Sequence, residues 1–112
     1  MTLTIPMPLP SAANLREHWT AKHRRVKSQR QIVAAYIGGR PKLELPVVVT
    51  LERVAPRALD DDNLRGAFKA VRDQVATWLG VPDNDPRIRW DYAQRRGGVK
   101  ECAVVVTVGR VE

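Results

Sequence analysis

The most regular hydrophobic pattern in the chain lies between residues 63 and 79. Apolar residues recur there at steps of three and four, which places them on one face of a helix, and Gly80 follows as a helix-ending residue. The members of this apolar stripe are Leu64, Ala67, Phe68, Val71, Val75, Trp78 and Leu79. The pattern predicts an amphipathic helix over residues 63–79 that packs against a core.

Three weaker patterns precede this helix. Residues 2–8 alternate in polarity and predict a first strand ended by Pro8, with a loop over residues 9–20. Residues 22–37 carry apolar positions at helical spacing opposite a basic side, and predict a helix that Gly38 and Gly39 stop. Residues 45–54 are apolar and β-branched, which predicts a buried strand.

Two more strands are expected after the central helix. Ile88, Trp90 and Tyr92 alternate with charged residues, and a second alternating run covers residues 102–108. Gly97 and Gly98 between them are typical of a hairpin, which requires antiparallel pairing. We therefore predict one α+β domain over residues 1–112 in the order β-α-β-α-β-β, with its helices packed on a mixed sheet.

Chain length and cysteine content limit the number of domains and the kinds of cross-link that the protein can have. A chain of 112 residues is the size of one domain, and dimerisation is a common way for so small a domain to gain stability. The single cysteine, Cys102, excludes an intramolecular disulfide and a cysteine-based metal cluster. No apolar run approaches the roughly 20 residues that cross a bilayer, and the opening residues lack a basic leader. We expect a cytoplasmic protein without a membrane segment.

The charge is unevenly distributed along the chain. The net charge is +7, which favours a polyanionic partner because bound Lys and Arg release the counterions condensed on phosphates. All seven aspartates, however, lie between residues 60 and 91, where only five Lys and Arg accompany them. The sequence thus places an acidic centre inside a basic chain.

Five of these aspartates and one asparagine flank the predicted central helix. The residues directly ahead of it are Asp60, Asp61, Asp62 and Asn63, and Asp83 and Asp85 follow in a turn-forming PDNDP segment. In extended backbone, residues two apart point to the same side, so Asp60 and Asp62 could present two carboxylates together. This geometry requires the helix to begin at or after Asp62, because on a helix the two side chains would diverge.

Clustered carboxylates repel one another, and a hard divalent cation such as Mg²⁺ or Mn²⁺ relieves the repulsion. Such an ion can activate a water molecule, orient a phosphodiester and stabilise the leaving oxygen. The alternative is structural: one aspartate caps the helix, the others lie near the positive end of its dipole, and Asp83 and Asp85 merely form a turn. No Glu or Gln stands three residues after Asp62 to complete a capping box, since that position is Arg65.

Residues 59–88, LDDDNLRGAFKAVRDQVATWLGVPDNDPRI, resemble the central segment of RusA-like endodeoxyribonucleases, which are Holliday junction resolvases. In that family an Asp-x-Asp-Asn-Leu motif opens an amphipathic helix and a further aspartate follows it. The segment PLPSAANLREHW at residues 8–19 is similar to the family's Pro-rich opening with Ser and Asn.

The resemblance implies a homodimeric, magnesium-dependent hydrolase that nicks two strands of a four-way junction in DNA recombination and repair. Mn²⁺ is a possible substitute, and no small-molecule cofactor is expected. By position, Asp60 and Asp62 match the paired metal-binding and catalytic aspartates and Asp85 the downstream one, with Asp83 as its rival.

One position departs from the family pattern. The family usually has a lysine where this chain has Gly66. We consider Lys69, which falls on one helical stripe with Asp62, Gly66 and Asp73, as the catalytic replacement for that positive charge. A surface pair between Lys69 and Asp73 is the alternative.

The densest basic run surrounds the predicted first helix and indicates contact with the DNA backbone. Trp19 beside it could stack on a base, although an aromatic residue there is more often part of a core. The predicted nucleic-acid-binding residues are Asn14, Arg16, Lys22, Arg24, Arg25, Lys27, Arg30, Arg57 and Asn63. Two other functions stay open: a basic DNA-binding protein whose acidic cluster is structural, and a nuclease for other branched or flapped DNA.

Overall fold

The computed structural model describes residues 1–11 and 18–111, and this part of the chain contains four strands and three helices. In chain order the elements are β1 (Thr2–Ile5), α1 (Trp19–Ile37), β2 (Val47–Ala55), α2 (Asp61–Ala67), α3 (Lys69–Leu79), β3 (Ile88–Arg96) and β4 (Ala103–Arg110).

The four strands form one mixed sheet in the order β1-β4-β2-β3. β2 and β3 run parallel, joined through α2 and α3, whereas β4 is antiparallel to both β1 and β2. A parallel neighbour requires a crossover connection, which the two helices provide. The α+β class with helices on a mixed sheet is therefore confirmed.

The predicted hairpin between the last two strands is wrong. β4 pairs with β2 and β1, so β3 stays at the outer edge of the sheet. The connection at residues 97–102 passes over the end of β2, where the Gly97 N–H donates to the carbonyl of Ala55. A Cβ on Gly97 would lie 2.7 Å from Oε1 and 3.0 Å from the carbonyl oxygen of Glu101, and 3.1 Å from the Val54 side chain, so this glycine permits the close approach of the turn at residues 98–101 and of β2.

The core lies between one face of the sheet and the helices. Along each strand, alternate residues point inward, with Val49, Leu51, Val104 and Val106 fully buried. All seven residues of the predicted apolar stripe are buried, as expected. The segment is two helices rather than one, because the backbone tightens at Phe68, whose N–H approaches the carbonyls of both Leu64 and Arg65.

The first two elements begin or end differently from the prediction. β1 ends at Ile5 rather than Pro8, since Pro6 has no N–H to continue the ladder. α1 begins at Trp19, after His18, whose ring nitrogen accepts the Thr20 N–H. Half of the loop predicted over residues 9–20 lies outside the described residues. Among those described, no helix combines the length and apolar character needed to span a membrane.

Candidate metal and DNA site

The acidic triplet, Asp60, Asp61 and Asp62, follows the loop that leaves β2. Gln94 on β3 anchors this loop, because its side-chain amide accepts from the N–H of Leu59 at 2.9 Å and donates to the Leu59 carbonyl at 2.6 Å. Both backbone polar groups of the residue before the triplet are thereby satisfied. The triplet is held beside the C-terminal part of the edge strand.

The start of α2 differs from the expectation that the helix begins at or after Asp62. The helix begins at Asp61, not at or after Asp62, and Asp60 is its N-cap, with an extended backbone and a carboxylate that accepts the Asn63 N–H at 2.9 Å. The cause is the capping preference of aspartate together with the favourable position of further acids in a first helical turn. The structural alternative is therefore confirmed for Asp60, which acts as a cap.

The seven aspartates divide into two groups by their partners. Four of them, Asp73, Asp83, Asp85 and Asp91, each form an ion pair with a lysine or arginine within 3.3 Å. The acidic triplet forms no ion pair with any residue of 1–11 or 18–111, and all three of its residues are exposed. Three adjacent carboxylates thus have no cationic partner among the described residues of a chain whose net charge is +7.

Asp83 is bound to the outer side of α3. Its carboxylate accepts from Lys69 Nζ at 3.2 Å and from Arg72 Nε at 2.9 Å, and these two cations hold its pKa below the usual value. Lys69 also pairs with Asp73 at 2.9 Å, which confirms the surface pair considered for it. Hydrogen bonds to Asp73 and then Asp83 raise the pKa of Lys69. Lys69 is thus already shared between two carboxylates.

Asp85 lies at the other end of β3 from the triplet. Its two carboxylate oxygens bind the Arg87 guanidinium at 3.0 and 2.9 Å, which lowers the pKa of Asp85 to about 2. Its carbonyl accepts the Ile88 N–H, whereas Leu59 is bound at Gln94. At about 3.3 Å per residue, those two positions on β3 are roughly 20 Å apart. The structure does not bring Asp85 next to Asp60.

Consequently the predicted set of three converging carboxylates is not found. Within the described part of the chain, no three His, Cys, Asp or Glu side chains are grouped as they would be around a metal ion. Asp83, in the turn after α3, and Asp85, before β3, are each paired with an arginine. Gly66 faces open space, since an added Cβ would meet no atom within 4 Å outside its own helix backbone and chain neighbours.

Sequence reasoning missed a groove between α2 and the edge strand β3. Its volume is about 360 Å³, and its lining includes Asp61, Arg65, Asp91 and Tyr92. The Arg65 guanidinium lies 5.6 Å from the centre of the Tyr92 ring and forms no ion pair within the described residues. The i, i+4 spacing of Asp61 and Arg65 was visible in the sequence, but the sequence did not indicate that α2 lies beside β3.

The basic side of α1 is only partly free for DNA. Lys22, Arg24 and Lys27 are exposed, whereas Arg25 is partly buried. Arg30 is turned toward α3, where it donates to Gln74 at 3.1 Å and to Thr77 at 3.3 Å. Of the remaining predicted contacts, Arg57 is exposed and Asn63 is partly buried. Asn14 and Arg16 lie outside the described residues.

Trp19 is not a core residue. Its side chain is 72% exposed at the first position of α1, beside the basic residues. The expectation that an aromatic residue here is more often part of a core is therefore wrong for this chain. A flat, exposed indole next to cations is the arrangement used to stack on unpaired bases.

Comparison with known proteins adds a relative but no function. No family model matches the chain. An uncharacterized protein of Xylella fastidiosa (strain Temecula1 / ATCC 700964) is 36% identical over 94 residues, an alignment that covers 73% of this chain and 60% of the relative. The chain thus spans about 60% of the length of the curated relative that it matches.

Proposed function

We propose that the protein is a magnesium-dependent DNA endonuclease that cleaves branched DNA, four-way junctions in particular, as a homodimer. The observation that carries the proposal is the acidic triplet: three adjacent, exposed carboxylates without an ion pair among the described residues, while the other four aspartates are paired. Adjacent like charges repel one another, and a bound divalent cation would relieve that repulsion.

The acidic triplet fits a hard divalent cation without a third, distant carboxylate. Mg²⁺ is commonly bound through one or two carboxylates and completes its octahedron with waters and substrate phosphate. Because α2 begins at Asp61, Asp60 and Asp62 are not paired on one side as in an extended segment. Asp62, in the first turn, is the proposed direct ligand, and Asp60, which caps the helix through Oδ1, would contribute through Oδ2 or through a metal-bound water. Mn²⁺ would be accepted by the same oxygen atoms. When bound, the ion would supply Lewis-acid activation and neutralise charge on the phosphodiester.

Basic and aromatic residues of the chain would bind the DNA. Arg65, which forms no ion pair in the described structure, can hold a phosphate in the groove next to the triplet. Lys22, Arg24 and Lys27 can follow the backbone, and Trp19 can stack on a base that has left its pair. Lys69 is less suited to replace the family lysine because Asp73 and Asp83 already share it.

Branch specificity and the dimer rest on the resemblance of residues 59–88 to RusA-like resolvases. Two active sites related by a twofold axis would allow paired nicks across a junction, which itself has near twofold symmetry. Sedimentation velocity at micromolar concentration tests the dimer: a species of about twice the 12.6 kDa monomer mass is expected, and a pure monomer with DNA bound would contradict it. The cytoplasmic location also stays a prediction.

The catalytic proposal is tested with purified protein on a labelled synthetic junction. Asp60→Asn and Asp62→Asn should each abolish magnesium-dependent nicking while junction binding persists, because Asn caps a helix about as well as Asp and Asp62 forms no ion pair among the described residues. Asp73→Asn is the matched control, since it removes a partly exposed carboxylate on α3 that is already paired with Lys69, and it should nick normally. Equal loss in all three variants, or none, would contradict the proposal.

The second candidate is a basic DNA-binding protein that does not cut. It is favoured by the capping role of Asp60 and by the ion pairs that occupy both Asp83 and Asp85. Under this reading wild type binds the junction, but neither Mg²⁺ nor Mn²⁺ produces nicks, and Asp60→Asn changes only stability. The third possibility is a nuclease for other branched DNA. Comparing the cleavage of junction, flap and linear duplex distinguishes it from a junction-specific enzyme.

A further inference from the structure

Arg53 on β2 is a buried cation. Only 9% of it is exposed, and no described acidic residue pairs with it. Its Nε donates to the Leu9 carbonyl and its Nη1 to the Arg57 carbonyl, each at 2.7 Å, while Nη2 makes no hydrogen bond to the described residues. Burial lowers the pKa of Arg53. Buried charges are ordinarily paired, so this one needs an explanation.

A cavity opens beside this guanidinium. It has a volume of about 370 Å³, and Arg53 and Arg57 line it together with Pro8, Pro10 and Pro56. The cavity therefore offers two cations and a mostly apolar wall, with no carboxylate among the residues that line it.

We infer that the cavity at Arg53 and Arg57 is a binding site for a phosphate group. A phosphate supplies the negative charge that the buried guanidinium lacks, and its oxygens can accept from Nη2 of Arg53 and from Arg57 at once. The apolar proline wall suits the sugar that accompanies a phosphate in a nucleic-acid strand. A carboxylate ligand has fewer acceptors and less charge for two arginines.

The location connects this site to the acidic triplet. Arg57 is three residues before Asp60, on the loop that Arg53 itself holds through the Arg57 carbonyl. A strand whose phosphate occupies the cavity would therefore continue toward Asp60. Identification of the ligand as a phosphate of DNA rests on the proposed DNA-binding function, whereas a free phosphate would use the same donors.

The first experiment follows the Arg53 side chain without changing it. In ¹⁵N-resolved NMR spectra of the full chain, the Nε–H of Arg53, which is buried and hydrogen-bonded, is expected to shift saturably with sodium phosphate and not with sodium chloride at equal ionic strength. The Nε–H of Arg72, bound to Asp83, is the internal control and should not move. No shift of Arg53 at tens of millimolar phosphate would overturn the two-arginine site.

The second experiment measures junction binding without divalent ions, so loss or absence of cleavage leaves it unaffected. Arg57→Gln is expected to weaken binding about tenfold and to reduce the slope of log K against log salt by about 1. Arg110→Gln, an equal loss of charge at the far end of β4, should leave both unchanged. Equal effects of the two variants exclude DNA as the ligand. If the two variants have equal effects and the Arg53 signal shifts with phosphate, the site binds free phosphate. If they have equal effects and the Arg53 signal does not shift, the inference is overturned.

Discussion

Arg72 joins three parts of the molecule that the chain brings together only on folding. From α3 its Nε and Nη2 donate to the carboxylate and carbonyl of Asp83, at 2.9 and 3.1 Å, and its Nη1 donates to the Tyr92 hydroxyl at 2.8 Å. Its guanidinium also lies 4.7 Å from the centre of the Trp90 ring. The substitution Arg72→Met keeps most of the apolar stem and removes all four interactions.

The loss in the free energy of unfolding follows from the number of these interactions and from their burial. Both Arg72 and Asp83 are only 25% exposed, so their ion pair is worth about 1 kcal/mol rather than the near-zero value of a fully solvated pair. The Tyr92 hydrogen bond adds about 1 kcal/mol and the cation–π contact about 0.5–1 kcal/mol. We expect the free energy of unfolding to fall by about 2–3 kcal/mol, which lowers Tm by roughly 8–15 °C in a domain of this size.

Thermal and denaturant unfolding at pH 7 measure this effect, with Arg89→Met as the control. The Arg89 side chain is 73% exposed and pairs with Asp91 at 3.3 Å, so its loss should cost less than about 0.5 kcal/mol. Because Lys69 and Arg72 lower the pKa of Asp83, the stability from this carboxylate is present above its usual pKa and lost as pH falls through its folded pKa. The gap in stability between wild type and Arg72→Met should therefore narrow in acid by the contribution of the ion pair, about 1 kcal/mol, while the Tyr92 and Trp90 contributions remain. Equal costs for Arg72→Met and Arg89→Met, or a gap that does not narrow in acid, would refute the reasoning.

Three further predictions concern single positions. Gly66→Ala should stabilise the protein by about 0.5–1 kcal/mol in chemical denaturation, because the position is helical and faces open space, whereas Gly80→Ala should destabilise it by about 1 kcal/mol, because Gly80 has a φ of +83°. Phe68→Ala should cost about 3–5 kcal/mol, measured by the same unfolding curves, since Phe68 is 0% exposed; a cost under 1 kcal/mol would mean that the site is not packed. Asp85→Asn should flatten the dependence of stability on pH between the usual aspartate pKa of 3.8 and about 2, the range over which wild type loses the Arg87 pair, and an unchanged profile would contradict that pairing.

Periodicity predicted most elements because burial on one face is a local property of the sequence. The stripe from Leu64 to Leu79 and the alternation of Val104, Val106 and Val108 both face the core. The order of the strands in the sheet, in contrast, is not a local property of the sequence. Gly97 and Gly98 suit a hairpin as well as a crossing, and only the position of β4 between β1 and β2 decides between them.

The candidate site was predictable to a similar degree. A run of three aspartates before an apolar helix identified the acidic triplet, and the structure leaves those carboxylates without an ion pair among the described residues. The pairing of the downstream aspartates was not predicted: the packing of α3 brings Arg72 to Asp83, and Asp85 is bound locally by Arg87, two residues later. The same applies to Arg53, whose burial no sequence pattern indicated.

The central claim is that the acidic triplet binds a divalent cation, and paramagnetic broadening by Mn²⁺ tests it most directly. In amide spectra of the full chain, substoichiometric Mn²⁺ should broaden Asp61, Asp62 and Asn63 first, then Tyr92 across the groove, and Mg²⁺ should reverse the effect by competition. Broadening centred on Asp83 and Asp85, or uniform weak broadening that Mg²⁺ does not reverse, would contradict the claim.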